Sequence, residues 1–179
     1  MNSAAQSLEK RACPVELRAR GRRLEGYAAT FGTEARIGSF TEVIRPGAFS
    51  STLSGKGDIL ALVDHDPGRV LARTRSGTLR LSEDSRGLAF DLDVPDTTAG
   101  RDVLALAERG DIGGMSFGFT ATDERWTGDR RELRGVTLHE ISVVLSWPAY
   151  EGTEIATRAR PAAYRLAHAR RMLQLMGAH

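Results

Sequence analysis

Gly113-Gly114-Met115-Ser116-Phe117-Gly118-Phe119 places a serine inside a stretch that reads as a β-strand. Side chains alternate across a strand, so Met115, Phe117 and Phe119 share one face and can fill a core, while Gly114, Ser116, Gly118 and Thr120 share the other. Glycines weaken a strand and are kept where another backbone comes close. Gly114 and Gly118 therefore mark a candidate substrate groove for an extended peptide, with Ser116 between them as a candidate nucleophile. On this stretch alone, a glycine-rich edge strand with a solvated serine is the stronger account.

Upstream, Asp58 to Val63 (Asp-Ile-Leu-Ala-Leu-Val) is a continuous apolar run suited to a buried strand. It delivers His65 into Asp64-His65-Asp66-Pro67-Gly68, where Asp66-Pro67-Gly68 is the bend signal. A side chain at the mouth of a buried strand is held rigidly, so His65 is a candidate general base. Asp64 and Asp66 either act on the imidazole or merely solvate the turn, and both accounts stand. Val70 to Thr74, Leu79 to Ser82 and Leu88 to Val94 alternate and are separated by turn signals at Ser76-Gly77 and Asp84-Ser85-Arg86-Gly87, which predicts an antiparallel meander. Asp96-Thr97-Thr98 offers N-caps for a helix over Ala99 to Arg109, and Gly110 is a natural stop. Nearer the N-terminus, Val15 to Arg20 and Leu24 to Phe31 read as strands. Arg36 to Arg45 reads as a loop and short strand before the turn at Pro46-Gly47, and Ala48 to Leu53 as a short helix.

Downstream, a hairpin around Thr127-Gly128-Asp129-Arg130 leads into a strand from Gly135 to Trp147. Ile141, Val143 and Leu145 make its odd positions the core face, and His139 would share that face. Glu140 and Ser142 would point to the other side, as Ser116 does on its own strand. Glu140 is therefore the preferred partner for His65, with His139 as the reserve third member. The plainer account of Glu140 is an exposed strand glutamate paired with an arginine. Tyr150 to Arg160 is loop-like, and Pro161 can open a final helix. There Ala162, Leu166, Ala169, Leu173 and Met176 form a narrow apolar stripe, opposite Arg165, His168 and Arg171.

The chain of 179 residues suits one domain with a tail. The divisions expected are a mobile leader over 1–14, a domain over 15–150, and a linker with a basic amphipathic helix over 151–179. A hydrophobic fraction of 41% and a charged fraction of 27% are those of an ordinary globular protein. No run reaches the length of a membrane span, and Met1 to Ala12 lacks the apolar core of a signal peptide, so a cytoplasmic location is expected. Cys13 is the only cysteine, which excludes an internal disulfide and a multi-cysteine zinc site. An inert thiol is expected there, and neither a metal nor a cofactor. The net charge of +2 hides basic clusters at Lys10 to Arg23 and Arg158 to Arg171. With no recognised binding motif and no cluster of aromatic stacking residues, nucleic-acid binding ranks last among the functions weighed.

His65, Ser116 and Glu140 are the residue types of a base, a nucleophile and a group that orients the base. A serine hydroxyl is a poor nucleophile until an imidazole takes its proton, and the imidazole works best with its other nitrogen on an acceptor. A mostly antiparallel barrel is one fold able to bring three separate strands together.

At these residues the chain resembles the prohead maturation proteases of tailed bacteriophages, a family similar in fold to the herpesvirus capsid maturation protease. The resemblance rests on Gly26-Tyr27-Ala28-Ala29 with Phe31, Glu42-Val43-Ile44-Arg45-Pro46-Gly47-Ala48-Phe49, the His65-Asp66 pair, and Gly114 to Phe119. It extends through Leu138-His139-Glu140-Ile141-Ser142 to Pro148-Ala149. It implies an α+β fold, a mostly antiparallel β-barrel flanked by a few helices, to which the residue pattern adds the amphipathic C-terminal helix. It also implies a serine endopeptidase with His65 as general base and Ser116 as nucleophile. Such an enzyme would cleave the major capsid protein precursor or its scaffold segment, and itself, and would self-associate inside the immature capsid in the host cytoplasm. Herpesvirus relatives use a second histidine as third member, and here His139 and Glu140 stand side by side. Oxyanion donors would be backbone N–H groups, with Gly113-Gly114 and the loop at Trp147-Pro148 both open. The alternative function is a catalytically inactive capsid assembly or scaffold module of the same fold, against which the intact His65 and Ser116 argue.

Overall fold

The computed structural model describes residues 7–13 and 17–146. The strands are β1 (Glu9–Cys13), β2 (Leu17–Arg20), β3 (Arg23–Thr30), β4 (Glu34–Ile37), β5 (Phe40–Ile44), β6 (Leu60–Val63), β7 (Asp66–Arg73), β8 (Leu79–Glu83), β9 (Gly87–Asp93), β10 (Gly114–Thr127) and β11 (Arg130–Val144). Helix α1 (Ser50–Ser54) lies between β5 and β6, and α2 (Thr98–Arg109) between β9 and β10. The capping expected for α2 holds: the Thr97 side chain accepts from Gly100 N at 3.2 Å, and Gly110 ends the helix at φ +75°. The expected C-terminal helix and the residues Trp147-Pro148 lie outside the described residues.

Strand β11 organises the larger sheet. One edge carries β10, antiparallel from Gly114 opposite Val144 to Thr127 opposite Arg130. The other edge is shared by two parallel partners, β5 along Arg130 to Leu133 and β6 along Glu140 to Val143. Between them α1 takes the place of a strand. Thr52 Oγ1 donates to Val136 O at 2.8 Å and accepts from Leu138 N at 3.1 Å, while Ala48 O accepts from Val136 N at 2.9 Å. The exposed edge is thus satisfied without a continuous ladder.

The architecture is mostly β, but the expected barrel is not closed. A seven-stranded sheet in the order β1-β10-β11-β5-β4, with β6 and β7 branching from β11, packs against a four-stranded sheet in the order β2-β3-β9-β8. No ladder joins the two among the described residues. Closure would need a partner running the length of β11, and the turn at Pro46-Gly47 diverts the chain into α1 instead. The two sheets share one core, with Leu24, Leu88 and Leu92 on one side and Phe117, Phe119 and Ile141 on the other. Phe49 links them, its ring edge-on to Phe117 at 5.6 Å between centroids and stacked on Phe31 at 6.3 Å.

Residues 9–13, expected within a mobile leader, instead form β1 against β10. The cause is a buried ion cluster. Arg11 grips Glu42 with two nitrogens at 2.7 and 3.0 Å and reaches Glu9 at 2.7 Å. Arg131 donates to Glu9 at 2.6 and 2.8 Å, to Glu42 at 3.0 Å and to Glu124 at 2.6 Å. Burial works against the charge on Glu9, yet the hydrogen bond from Arg131 and the two guanidiniums outweigh it and hold the carboxyl below its usual range. Removing Glu42 leaves two buried cations undercompensated, so Glu42→Ala should cost about 3–5 kcal/mol in denaturant unfolding. A loss under about 1 kcal/mol would mean that the cluster behaves as a solvated surface network. Beside it, burial pushes the Cys13 thiol up to about 11, which leaves it protonated and unreactive at neutral pH.

Candidate active site

His65 stands at the end of β6, in a two-residue hairpin loop with Asp64. Both have positive φ, +51° for Asp64 and +60° for His65. This is the backbone of a type I′ turn, a conformation that Asp and His adopt more readily than most residues. The bend is therefore at Asp64-His65, not at Asp66-Pro67-Gly68, which instead opens β7. Pro67 is tolerated because β7 is an edge strand, paired only with β6. The turn is held from several sides. Asp64 N donates to Val143 O at 2.9 Å, Asp64 Oδ1 accepts from Leu145 N at 2.9 Å, and His65 N donates to Ser142 Oγ at 3.2 Å. Asp66 Oδ1 accepts from Gly68 N at 2.8 Å, and the carboxylate on the imidazole comes from neither aspartate.

That carboxylate is Glu140. His65 Nδ1 lies 2.5 Å from Glu140 Oε1, and both side chains are almost wholly buried. An ionised carboxylate has only acceptors, so Nδ1 is the donor in such a pair, and a neutral imidazole held in this way has its lone pair on Nε2, the tautomer a general base requires. Nε2 is the buried side-chain nitrogen or oxygen without a hydrogen-bond partner among the described residues. A polar atom orphaned in this way demands a chemical explanation.

His139 does not share the core face with Ile141. Gly118 pairs with Glu140 but Phe119 pairs with Leu138, so His139 is the extra residue of a β-bulge. The bulge resets the alternation: Leu138 and Ile141 are buried in the core, His139 is exposed, and its Nε2 lies 2.8 Å from Thr120 Oγ1.

Ser116 stands directly across from Ser142 and two pairs along from Gly118 and Glu140, on the sheet face that carries His65. It is neither on an edge strand nor solvated, since β1 covers β10 and Ser116 is fully buried. Its hydroxyl donates to Arg11 O at 2.7 Å and is not hydrogen-bonded to His65. The structure thus couples His65 to Glu140 and places Ser116 beside them with its proton directed at β1.

A buried serine on the face that carries an imidazole–carboxylate pair supplies the residue types of a serine hydrolase, without the serine–imidazole hydrogen bond. The family model of the caudovirus prohead serine protease matches residues 9–166. The chain belongs to this family. Its match begins at the first residue of β1, in keeping with that strand being part of the domain. Among solved structures, the capsid assembly protease gp21 of bacteriophage T4 is similar at a TM-score of 0.51 and 12% identity, over 79% of this chain and 96% of that one. That likeness bears on the fold. No curated protein matches the chain.

Within this prohead protease fold the two glycines of the expected groove have different surroundings. Gly114 is buried where β10 begins. At Gly118 the room is filled by Glu140: a Cβ there would lie 2.4 Å from Oε1 and 3.1 Å from Cδ. Gly118→Ala should push the carboxylate off His65, and a misplacement of this size costs about 100-fold in turnover. The test is cleavage of a capsid precursor by the folded variant, and unchanged turnover would show that Glu140 can retreat without consequence. Ser142, which touches both His65 and Glu140, was not assigned a role from sequence. Its place two residues after Glu140, on one face of a strand, was the available signal.

Proposed function

We propose that the protein is a serine endopeptidase that cleaves capsid or scaffold precursor chains, and itself, during prohead maturation, with Ser116 as nucleophile, His65 as general base and Glu140 as the orienting carboxylate. The observation that carries this is the imidazole whose Nδ1 is tied to a buried carboxylate while its Nε2 is buried and unpartnered. Attack begins when the Ser116 hydroxyl turns from Arg11 O to Nε2, gives up its proton there and adds to the scissile carbonyl. The imidazolium, stabilised by Glu140, then protonates the leaving amine, and a water activated by His65 releases the acyl group. The Ser116 hydroxyl must leave Arg11 O before it can reach Nε2, a rearrangement that suits an enzyme switched on by assembly inside the immature capsid. The likeness in fold to the T4 capsid assembly protease gp21 supports the same substrate class.

The Ser116–Arg11 hydrogen bond is also what an inactive assembly module would carry, so the two readings need a chemical test. Co-expression with a capsid precursor, treatment with a fluorophosphonate probe and peptide mapping should place the adduct on Ser116 in shells that are processing. An adduct on another serine, or trimming with no adduct and no host protease present, would move the nucleophile elsewhere.

A further inference from the structure

We infer that Ser142 is a positioning residue of the same site, an inference that rests on the His65–Glu140–Ser116 reading above. Ser142 is fully buried and has one hydroxyl with two engagements. It donates to Glu140 Oε2 at 2.6 Å and accepts from the backbone N of His65 at 3.2 Å. The first bond occupies the carboxylate oxygen that His65 does not use, so that Oε1 faces Nδ1. The second holds the His65 backbone N–H of the left-handed turn against β11, beside the bond from Asp64 N to Val143 O. One hydroxyl therefore fixes the carboxylate and the base together.

Its geometry also explains why a serine is there. An alanine would leave Glu140 Oε2 and His65 N without these partners in a buried site, and a valine would do the same. Each missing bond loosens the distance on which proton transfer depends. Ser142 is opposite Ser116 in the ladder, which makes it a neighbour of the nucleophile, yet its proton is committed to the carboxylate. It supports the reaction without taking part in it.

The test is made on the full chain with a capsid precursor as substrate. Ser142→Ala should lower kcat by about 10- to 100-fold, the range expected for losing hydrogen bonds to a charged group, with KM nearly unchanged. The downfield proton resonance of the His65–Glu140 hydrogen bond should shift or vanish, a signal that a purely packing role would not move. Ser142→Thr, which keeps the hydroxyl, should recover most of the rate. In a Glu140→Gln background, Ser142→Ala should add little further loss, because its main target is already gone. Wild-type kcat in Ser142→Ala, or equal losses in Ser142→Ala and Ser142→Thr with an unchanged resonance, would overturn the assignment. Ser116→Ala measured in parallel keeps the two ideas apart: if that variant still cleaves, the catalytic reading fails, whatever Ser142 does.

Discussion

Shells assembled with a Ser116→Ala enzyme are expected to keep their precursor uncleaved. In a serine hydrolase the nucleophile and base act as a unit, and removing the nucleophile alone costs on the order of a million-fold in turnover. What remains comes from binding and oxyanion stabilisation, too little to process a shell during assembly. The fold should survive the change. Ser116 is fully buried, but alanine fits its space, and the bond lost is the single one to Arg11 O. That loss is worth about 1 kcal/mol, against a β1 also anchored by the Arg11–Glu42 pair. Gel analysis of purified shells reads the processing, and denaturant unfolding reads the stability. Normally trimmed precursor, in a host background without a substitute protease, would remove Ser116 from the chemistry.

What the sequence made legible was local and periodic. The alternation in Met115, Phe117 and Phe119 predicts the core face of β10, and all three are fully buried. The apolar run before His65 predicts a buried strand that delivers a histidine to a turn, as β6 does. The turn differs from the sequence expectation because Pro-Gly is a stronger signal than Asp-His, although Asp64 and His65 have the positive φ of the hairpin loop. On β11 one bulge at His139 breaks the period on which the face argument depends. Glu140 nevertheless lies on the side of Ser142 because the alternation is regular from Glu140 to Val144. Long-range pairings were the least legible. Nothing local to Lys10-Arg11-Ala12 says that it will lie on a strand 105 residues away, and the reason is a charge cluster drawn from several elements. The open architecture has a similar origin. Parallel partners on β11 depend on α1 crossing between β5 and β6, and strand propensity does not encode that path.

Exchanging Glu140 for glutamine should lower turnover by about four orders of magnitude, while His139→Ala should change it by less than about threefold. The reason lies in which atoms His65 and Ser142 present. Glu140 accepts a hydrogen bond from Nδ1 on one oxygen and from Ser142 Oγ on the other, so both oxygens must accept. Glutamine has one acceptor and one donor. If its NH2 faces His65, the imidazole must move its proton to Nε2, and the lone pair needed to activate Ser116 is lost. If its carbonyl faces His65, the base keeps its tautomer but the imidazolium formed during attack loses its counter-charge. Either orientation impairs the same step. His139, by contrast, is the exposed extra residue of the bulge with Thr120 as its partner, and surface changes of that kind move stability by less than about 0.5 kcal/mol. Steady-state cleavage of a precursor peptide by both variants, each checked for cooperative unfolding, gives the ranking. Should His139→Ala prove the more damaging of the two, the second-histidine arrangement of the herpesvirus enzymes would be the better description. The His65–Glu140 contact would then be structural.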